Sequence, residues 1–534
     1  MLAETSPVKV LTAAEMAAAD RRTVQGGVPI ATLMENAGGA VTRFVLMQYP
    51  VAQRVLVICG KGNNGGDGFV AGRLLAAAGK QVRVLLLGDE SALQGEAAVM
   101  FAALRGLPVE IVMAANEEHL YAKYFDVDVI VDAVLGTGFK APLRGVAVAV
   151  RERLAAIATP VVAVDLPSGW DADSVEEKNP DAFRADAVVT FTAPKLAHLF
   201  GNLTRGPVVV AEIGSPSDAV ISETRLTWAG SAKAIAEKPR EANSNKGKFG
   251  HVLVIGGAWG KAGAPAMASL AALRAGAGLV TAAVPEGIVD TVARATPELM
   301  VFPMDEAKRG PVSGGTVSRR NLDRDRMIAL LDKKTVVAMG PGLSTEQDAG
   351  MFARVLVEKT RKPLVLDADG LNAFAGQTQL LNGRERTLVL TPHPGEMARL
   401  LGVTVKDVEA DRVKIAREYA VKHHVTLVLK GWRTLVAHPD GRVAVNTSGN
   451  PAMAKGGSGD ILTGIVAAML AQYPQQVAEA VEAAVCLHGL AADLAVRAQD
   501  EHTVLATDTV AHLSDAFRYR ASVDAMTWLC GLRA

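Results

Sequence analysis

Asn63, Asn64 and Asp67 stand among five glycines in the run Gly60-Lys-Gly-Asn-Asn-Gly-Gly-Asp-Gly68. Glycines let a backbone approach a ligand closely, and two amides with a carboxylate supply directional hydrogen bonds. The embedded G-x-G-x-x-G, after an apolar run and before a helical one, also suits an anion held on backbone N–H groups at a helix start. The plainer alternative is that Asn and Asp form the turn and cap the helix. Two later clusters count against that alternative. Val131-Asp-Ala-Val-Leu-Gly-Thr-Gly-Phe-Lys-Ala-Pro142 carries Asp132 and then a glycine/threonine loop, and Val164-Asp-Leu-Pro-Ser-Gly169 carries Asp165 and Ser168 around a proline-fixed turn. The oxygen donors Asn64, Asp132 and Ser168 suit a hard cation. Asp165 suits general acid/base work if its surroundings tune it.

A second set lies near the other end, in Asn450-Pro-Ala-Met-Ala-Lys-Gly-Gly-Ser-Gly-Asp-Ile-Leu-Thr-Gly464. Gly456, Gly457 and Gly459 open a helix whose N–H groups can hold phosphate oxygens, and Asp460 stands within that nest. A carboxylate there can take the proton from a hydroxyl attacking a phosphoryl group. This is no Walker loop, because Gly260-Lys261 is followed by alanine.

These clusters need strands and helices to position them. Val55 to Ile58, Val82 to Leu87, Val127 to Val131 and Val161 to Val164 are continuous apolar runs separated by helical stretches. That pattern indicates a parallel sheet covered on both faces, with ligands at the carboxyl ends of its strands. All three polar clusters of the first half sit at such ends. Glu237 to Gly250 is polar and reads as a connection. A second series follows, with His251–Ile255, Val336–Met339, Leu364–Leu366, Leu388–Leu390 and Leu427–Leu429, each leading into glycine, aspartate or proline. The segment Met304 to Asp325 reads as a solvated surface loop. The expected organisation is residues 1–215 as a first domain, 216–245 as a linker and 246–534 as a second domain.

Composition bounds the rest. The chain has 534 residues, 56 Lys+Arg against 56 Asp+Glu, 49% hydrophobic residues and 3 cysteines. That length implies two or more domains, and a balanced charge argues against a nucleic-acid or anionic-membrane partner. Three scattered cysteines exclude a disulfide framework and a cysteine-rich zinc module. No basic-then-apolar leader and no uninterrupted membrane-length apolar run are read, so a cytoplasmic location is expected.

The motif order of the first half, G-x-G-N-N-G-G-D-G-F, then D-A-(x)2-G-T-G, then D-x-P-S-G, resembles the NAD(P)H-hydrate epimerase domain. That family interconverts the R and S epimers of NADHX and NADPHX, nicotinamide cofactors hydrated at C6. The resemblance implies substrate contacts from Asn63, Asn64, Gly65, Gly66 and Asp67, from Gly136, Thr137, Gly138, Phe139, Lys140, Ala141 and Pro142, and from Asp165 as the catalytic group. It also implies K+ held by Asn64, Asp132 and Ser168.

In the second half, G-G-S-G-D resembles the G-A-G-D of the ribokinase-like superfamily. Lys246-Gly-(x)2-Gly250, Val252-Leu-Val-Ile-Gly-Gly257, Gly263-Ala-Pro265, Gly340-Pro-Gly-Leu343, Leu366-Asp-Ala-Asp-Gly-Leu-Asn372, Thr391-Pro-His-Pro-Gly-Glu396 and Val428-Leu-Lys-Gly431 narrow this to the ADP-dependent NAD(P)H-hydrate dehydratase domain. The implied fold class is α/β, with a Rossmann-like N-terminal domain and a ribokinase-like C-terminal one, each of three layers. Implied hydrate contacts are Ala264, Gly342, His393 and Asp460, with Asp460 catalytic; His393, between two prolines, is alternatively a rigid turn residue. Implied nucleotide contacts are Lys430, Gly431, Trp432, Arg433, Thr434 and Gly459, with ADP carried by Mg2+. A homo-oligomer is expected. Two other readings compete: a vitamin or sugar kinase releasing a phosphorylated product, and a first half that binds ligand or RNA without catalysis.

Overall fold

A computed structural model describes residues 7–309 and 312–533. It divides the chain into two compact units, Val8–Leu226 together with residues 520–533, and Thr227–Tyr519.

The first unit is built on β1 (Arg54–Cys59), β2 (Gln81–Leu86), β3 (Val109–Met113), β4 (Val129–Ala133), β5 (Val161–Val164), β6 (Ala187–Phe191) and β7 (Val208–Ala211). Their order across the sheet is β7-β6-β5-β4-β1-β2-β3, all parallel. Strand side chains alternate between faces, and both faces are apolar here. Val55, Val57 and Cys59 of β1 pack with Phe44 of α2 (Ile30–Gln48) and with Phe69 and Leu75 of α3 (Asn63–Ala77). Leu56 and Ile58 pack on the other side with Phe125, Val150 and Leu154. Strand order reverses between β1 and β4, which opens a crevice at their carboxyl ends.

The far edge of this sheet corrects the expected domain boundary. Met526–Cys530 pairs antiparallel with β7, and Ser522–Val523 pairs beyond it. The segment assigned from sequence to the second domain thus completes the first. Polar Ser522, Thr527 and the intervening turn masked that strand signal.

In the second unit, Met300–Met304, Leu279–Pro285, His251–Ile255, Val336–Met339, Leu364–Leu366, Leu388–Leu390 and Thr426–Leu429 lie parallel in that spatial order. Leu435–Ala437 and Val443–Val445 follow antiparallel, and Leu226–Trp228 closes the edge. The order reverses between His251–Ile255 and Val336–Met339. The helices Gly263–Arg274 and Ser458–Gln472 cover one face, with Ile461, Ile465, Val466 and Met469 wholly buried. Two alpha/beta domains of three layers are therefore observed, as the sequence led one to expect.

Two expected loops are ordered elements. The stretch 216–245 is no simple linker: Leu226–Trp228 is a strand, and the 3-10 helix Ala229–Glu237 buries Ala232 and Ile235. Met304 to Asp325 contains the antiparallel strands Glu306–Arg309 and Val312–Val317, and Asn321 and Val317 are buried; residues 310 and 311 lie outside the described residues. Among the described residues no helix is long and apolar enough to cross a membrane.

Candidate active sites

The crevice between β1 and β4 is a cleft of about 1130 Å3. Asn63, Asn64 and Asp67 line it from the start of α3, and Gly136, Thr137, Gly138, Phe139, Lys140, Ala141 and Pro142 line it from the loop after β4. Asp165 reaches it from the end of β5. Gly65 and Gly66 lie behind the wall, the first against the Gly60 backbone and the second against Met34. Asp132 and Ser168 are buried beneath it.

Asp165 occupies a left-handed backbone conformation, φ 66°, which costs a residue with a Cβ about 1–2 kcal/mol. Neighbours hold it there. His198 Nδ1 accepts from Lys195 N at 2.9 Å, so its Nε2 carries the proton that it donates to Asp165 O at 2.7 Å. Burial and then Lys195 push His198 down to about 4, so it stays neutral. The carboxylate accepts from Lys195 Nζ at 2.7 Å, Thr190 Oγ1 at 2.8 Å, and Thr137 N and Oγ1 at 3.0 and 2.6 Å. Burial opposes charge on Asp165, but Lys195 and His198, with hydrogen bonds from Lys195 and Thr137, hold it well below the usual carboxylate range. Its surroundings therefore tune it away from proton exchange near neutrality.

Lys195 and His198 were missed in the sequence. Lys195 is 1% exposed, and lysine is almost never buried without a partner. The available signal was a lysine set in the apolar run Phe191-Thr-Ala-Pro-Lys195-Leu. Asp20 of α1 (Ala13–Gln25), to which the sequence assigns no role, also lines the cleft.

Of the three oxygen donors assigned to a cation, Asp132 and Ser168 meet directly. Asp132 Oδ1 accepts from Ser168 Oγ at 2.7 Å, and Oδ2 accepts from Ser168 N at 2.8 Å. Burial pushes Asp132 up to about 6 in spite of those donors. Asn64 Oδ1 approaches the Gly136 position, whose Cβ would stand 3.1 Å away, and Asn64 Nδ2 is buried with no partner among the described residues. Amide orientation is interchangeable, so Asn64 can turn its oxygen inward. An amide, a carboxylate and a hydroxyl, with one buried amide end unmatched, fit a hard monovalent cation.

In the second unit Asp460 lies in the first turn of Ser458–Gln472, after Gly457. Burial raises it to about 6, helped by Asp367 and opposed by Lys430. Lys430 Nζ donates to Asp367 Oδ1 at 2.8 Å and lies 3.8 Å from Glu396 Oε2. A Cβ on Gly459 would stand 3.4 Å from that ammonium, so Gly459 and Lys430 are neighbours across the site. Ala264 and Gly342 also meet. Gly342 has φ 65°, and a Cβ there would stand 3.2 Å from Ala264 Cβ and 3.0 Å from Lys261 O, so only glycine fits this crossing.

His393 does serve as a turn residue. Its Nδ1 accepts from Gly395 N and Glu396 N, capping Pro394–Leu401, while Nε2 stays 3.4 Å from Glu396 Oε1. Burial holds it below the usual histidine range. The loop Lys430, Gly431, Trp432, Arg433 and Thr434 is tied from beneath by Arg412, which donates to Lys430 O at 3.1 Å and to Trp432 O. Arg433 donates to Thr447 O at 2.8 Å and lies 4.3 Å from the Trp432 ring centroid; Thr434 Oγ1 donates to Gly431 O at 3.1 Å. Trp432 is half-exposed. Asp367 and Thr463 were not assigned from sequence. Among the described residues no three His, Cys, Asp or Glu side chains group to hold a metal.

Comparison with known proteins finds relatives for both halves of the chain. A family model described as NAD(P)H-hydrate dehydratase matches residues 252–515, and one described as YjeF-related protein N-terminus matches residues 30–197. The bifunctional NAD(P)H-hydrate repair enzyme Nnr of Moorella thermoacetica is 39% identical over 522 residues, 95% of this chain and 96% of that one. The corresponding enzyme of Thermofilum pendens is 36% identical over 516 residues, 96% of each chain. The crystal structure of an ADP/ATP-dependent NAD(P)H-hydrate dehydratase from Bacillus subtilis, co-crystallized with ATP/Mg2+, matches with a TM-score of 0.46 and 31% identity, over 54% of this chain and 96% of that one. With two matched domains and relatives this similar from end to end, the chain belongs to the family of bifunctional NAD(P)H-hydrate repair enzymes.

Proposed function

We infer that this chain restores hydrated nicotinamide cofactors in two steps, epimerising R- and S-NAD(P)HX in the first unit and dehydrating S-NAD(P)HX at the expense of ADP in the second. The observation that carries this reading is the pairing, in one chain, of a carboxylate-lined cleft at a strand-order reversal with a glycine-rich helix start that sets Asp460 in its first turn beside Lys430 and Asp367.

In the second site Asp460 takes the proton from the C6 hydroxyl as that oxygen attacks the terminal phosphorus of ADP, and AMP leaves. Phosphate then departs from C6 with the bonding electrons, pushed by the N1 lone pair. Loss of a C5 proton gives NAD(P)H. Phosphate leaves far more readily than hydroxide, which is why a phosphoryl-transfer site can run a dehydration. The amides at the start of the helix, those of Gly457 and Gly459, would stabilise the developing charge. Lys430, hydrogen-bonded to Asp367, adds positive charge to the site. The half-exposed Trp432 ring offers a stacking face for adenine. Mg2+ would arrive with the nucleotide, beside Asp367, Asp369 and Glu396, which accept from Lys430, Ser344 N and His393 N.

In the first site C6 is a hemiaminal carbon: departure of its oxygen as water leaves an iminium cation, and water adding to the other face inverts the centre. Asp165, held ionised, stabilises that cation. K+ at Asn64, Asp132 and Ser168 would supply fixed positive charge beside the cleft, balancing its carboxylates and holding the loop after β4.

The test is recovery of the NADH absorbance from a mixture of hydrate epimers, with ADP and ATP compared. Full recovery supports both activities. Recovery that stops once the S epimer is consumed removes the epimerase, and a stable phosphorylated product with no NADH marks a kinase instead.

A further inference from the structure

Two carboxyl groups in the first cleft sit in opposite surroundings. Asp165 is ringed by Lys195 Nζ, Thr190 Oγ1 and both donors of Thr137. Asp67, at the start of α3, lines the same cleft half-buried, and no donor reaches its carboxylate among the described residues. Asp20 faces the cleft from a third element, α1.

We propose that Asp67 is the proton-carrying catalytic residue of the epimerisation and that Asp165 works beside it as a fixed negative charge. This deepens the epimerase reading above and rests on it.

The groups facing Asp67 are Asp20 from α1, Asp165 and Lys195 from the loops after β5 and β6, and Cys59 from the end of β1. Burial, then Asp165 and Asp20, drive Asp67 well above the carboxylate range, against Lys195. Burial raises Asp20 as well, and the buried Cys59 thiol is pushed up and stays neutral. Lys195 spends its charge at short range on Asp165, so one carboxyl stays ionised while the other keeps its proton. Carboxyl groups separated in this way divide the acid and charge roles between them.

Asp67 donates its proton to the C6 hydroxyl oxygen. The C6–O bond breaks with its electron pair on oxygen, water leaves, and the N1 lone pair forms the C6=N1 iminium facing the Asp165 carboxylate. A water oxygen then bonds to the other face of C6, the N1=C6 pair returns to N1, and the surplus proton goes back to the Asp67 carboxylate. One water leaves and one enters, so no other reactant is consumed.

The experiment follows interconversion of R- and S-NADHX by proton NMR across pH, for the wild-type chain and for Asp67→Asn, Asp67→Glu and Asp165→Asn, with circular dichroism to confirm folding. Since the acid must be protonated, wild-type kcat/KM should fall as pH rises through the Asp67 ionisation. Asp67→Asn should lower kcat at least 100-fold with KM within threefold, and Asp67→Glu should restore part of the rate together with the alkaline fall. Asp165→Asn should slow the reaction at every pH and keep that fall. A raised KM with unchanged kcat in Asp67→Asn, or loss of the alkaline fall in Asp165→Asn, overturns the assignment while leaving the epimerase reading intact. A folded wild-type chain that never interconverts the epimers overturns that reading and the assignment together.

Discussion

Thr463 Oγ1 donates to Asp367 Oδ2 over 2.7 Å, tying the helix that carries Asp460 to the end of the strand Leu364–Leu366. Lys430 takes the other oxygen of the same carboxylate. Asp460 thus stands one helical turn from an anchored hydroxyl. Thr463→Val keeps the shape and removes the donor, leaving a buried carboxylate oxygen unmatched at a cost of about 1–3 kcal/mol. Thermal unfolding should show the second unit melting earlier, with dehydration slowed and epimerisation unchanged.

Asp460→Asn keeps the volume and removes the base. Nucleotide-dependent dehydration should fall about 10²–10⁴-fold, while epimerisation continues. Equal loss of both activities in a folded protein would contradict independent sites.

The wild-type pH profile of dehydration tests the same carboxylate differently. Burial and Asp367 raise Asp460 to about 6. A base must be deprotonated, so kcat/KM should hold above pH 6 and drop about tenfold per unit below it. Substrate protonation is separated by repeating the profile with Asp460→Glu. A profile flat down to pH 4 would count against Asp460 as the base.

Asn64, Asp132 and Ser168 should give the first unit a melting temperature that depends on K+, because an ion bound only to the folded state stabilises it. Replacing K+ by tetramethylammonium should lower that melting step and slow epimerisation. Asn64→Ala should abolish the K+-dependent part of the shift. A melting step indifferent to K+ would remove the ion from this site.

Gly136 offers a steric test. A Cβ there would stand 3.0 Å from Asp165 Oδ2 and 3.1 Å from Asn64 Oδ1, so Gly136→Val must push both groups aside. Epimerisation should fall more than tenfold, read by NMR, and dehydration should be unaffected.

Much of this was legible in the chain because backbone geometry writes itself into residue type. Val55 to Ile58 is apolar at every position because both faces of its strand are covered, and the glycines around Asn64 and Asp460 mark where the backbone meets ligand. Side-chain partnerships formed across long separations were not legible. Lys195 meets Asp165 thirty residues away and Thr463 meets Asp367 ninety-six away; nothing local to either residue announces its partner. The strand Met526–Cys530 was hidden likewise, since its pairing with β7 lies three hundred residues back. Asp165 itself was found, but its protonation state depends on Lys195 and His198 and so had to be read from the fold.

That returning strand sets an order on synthesis. Among the described residues, the edge of β7 is covered by a strand that lies beyond the whole of Thr227–Tyr519. As the ribosome releases the chain from its amino end, the first sheet must wait, one edge bare, until residue 530 has emerged. A nascent chain arrested earlier would present that open edge to other strands, so separating the two activities into independent genes would require a new cover for β7.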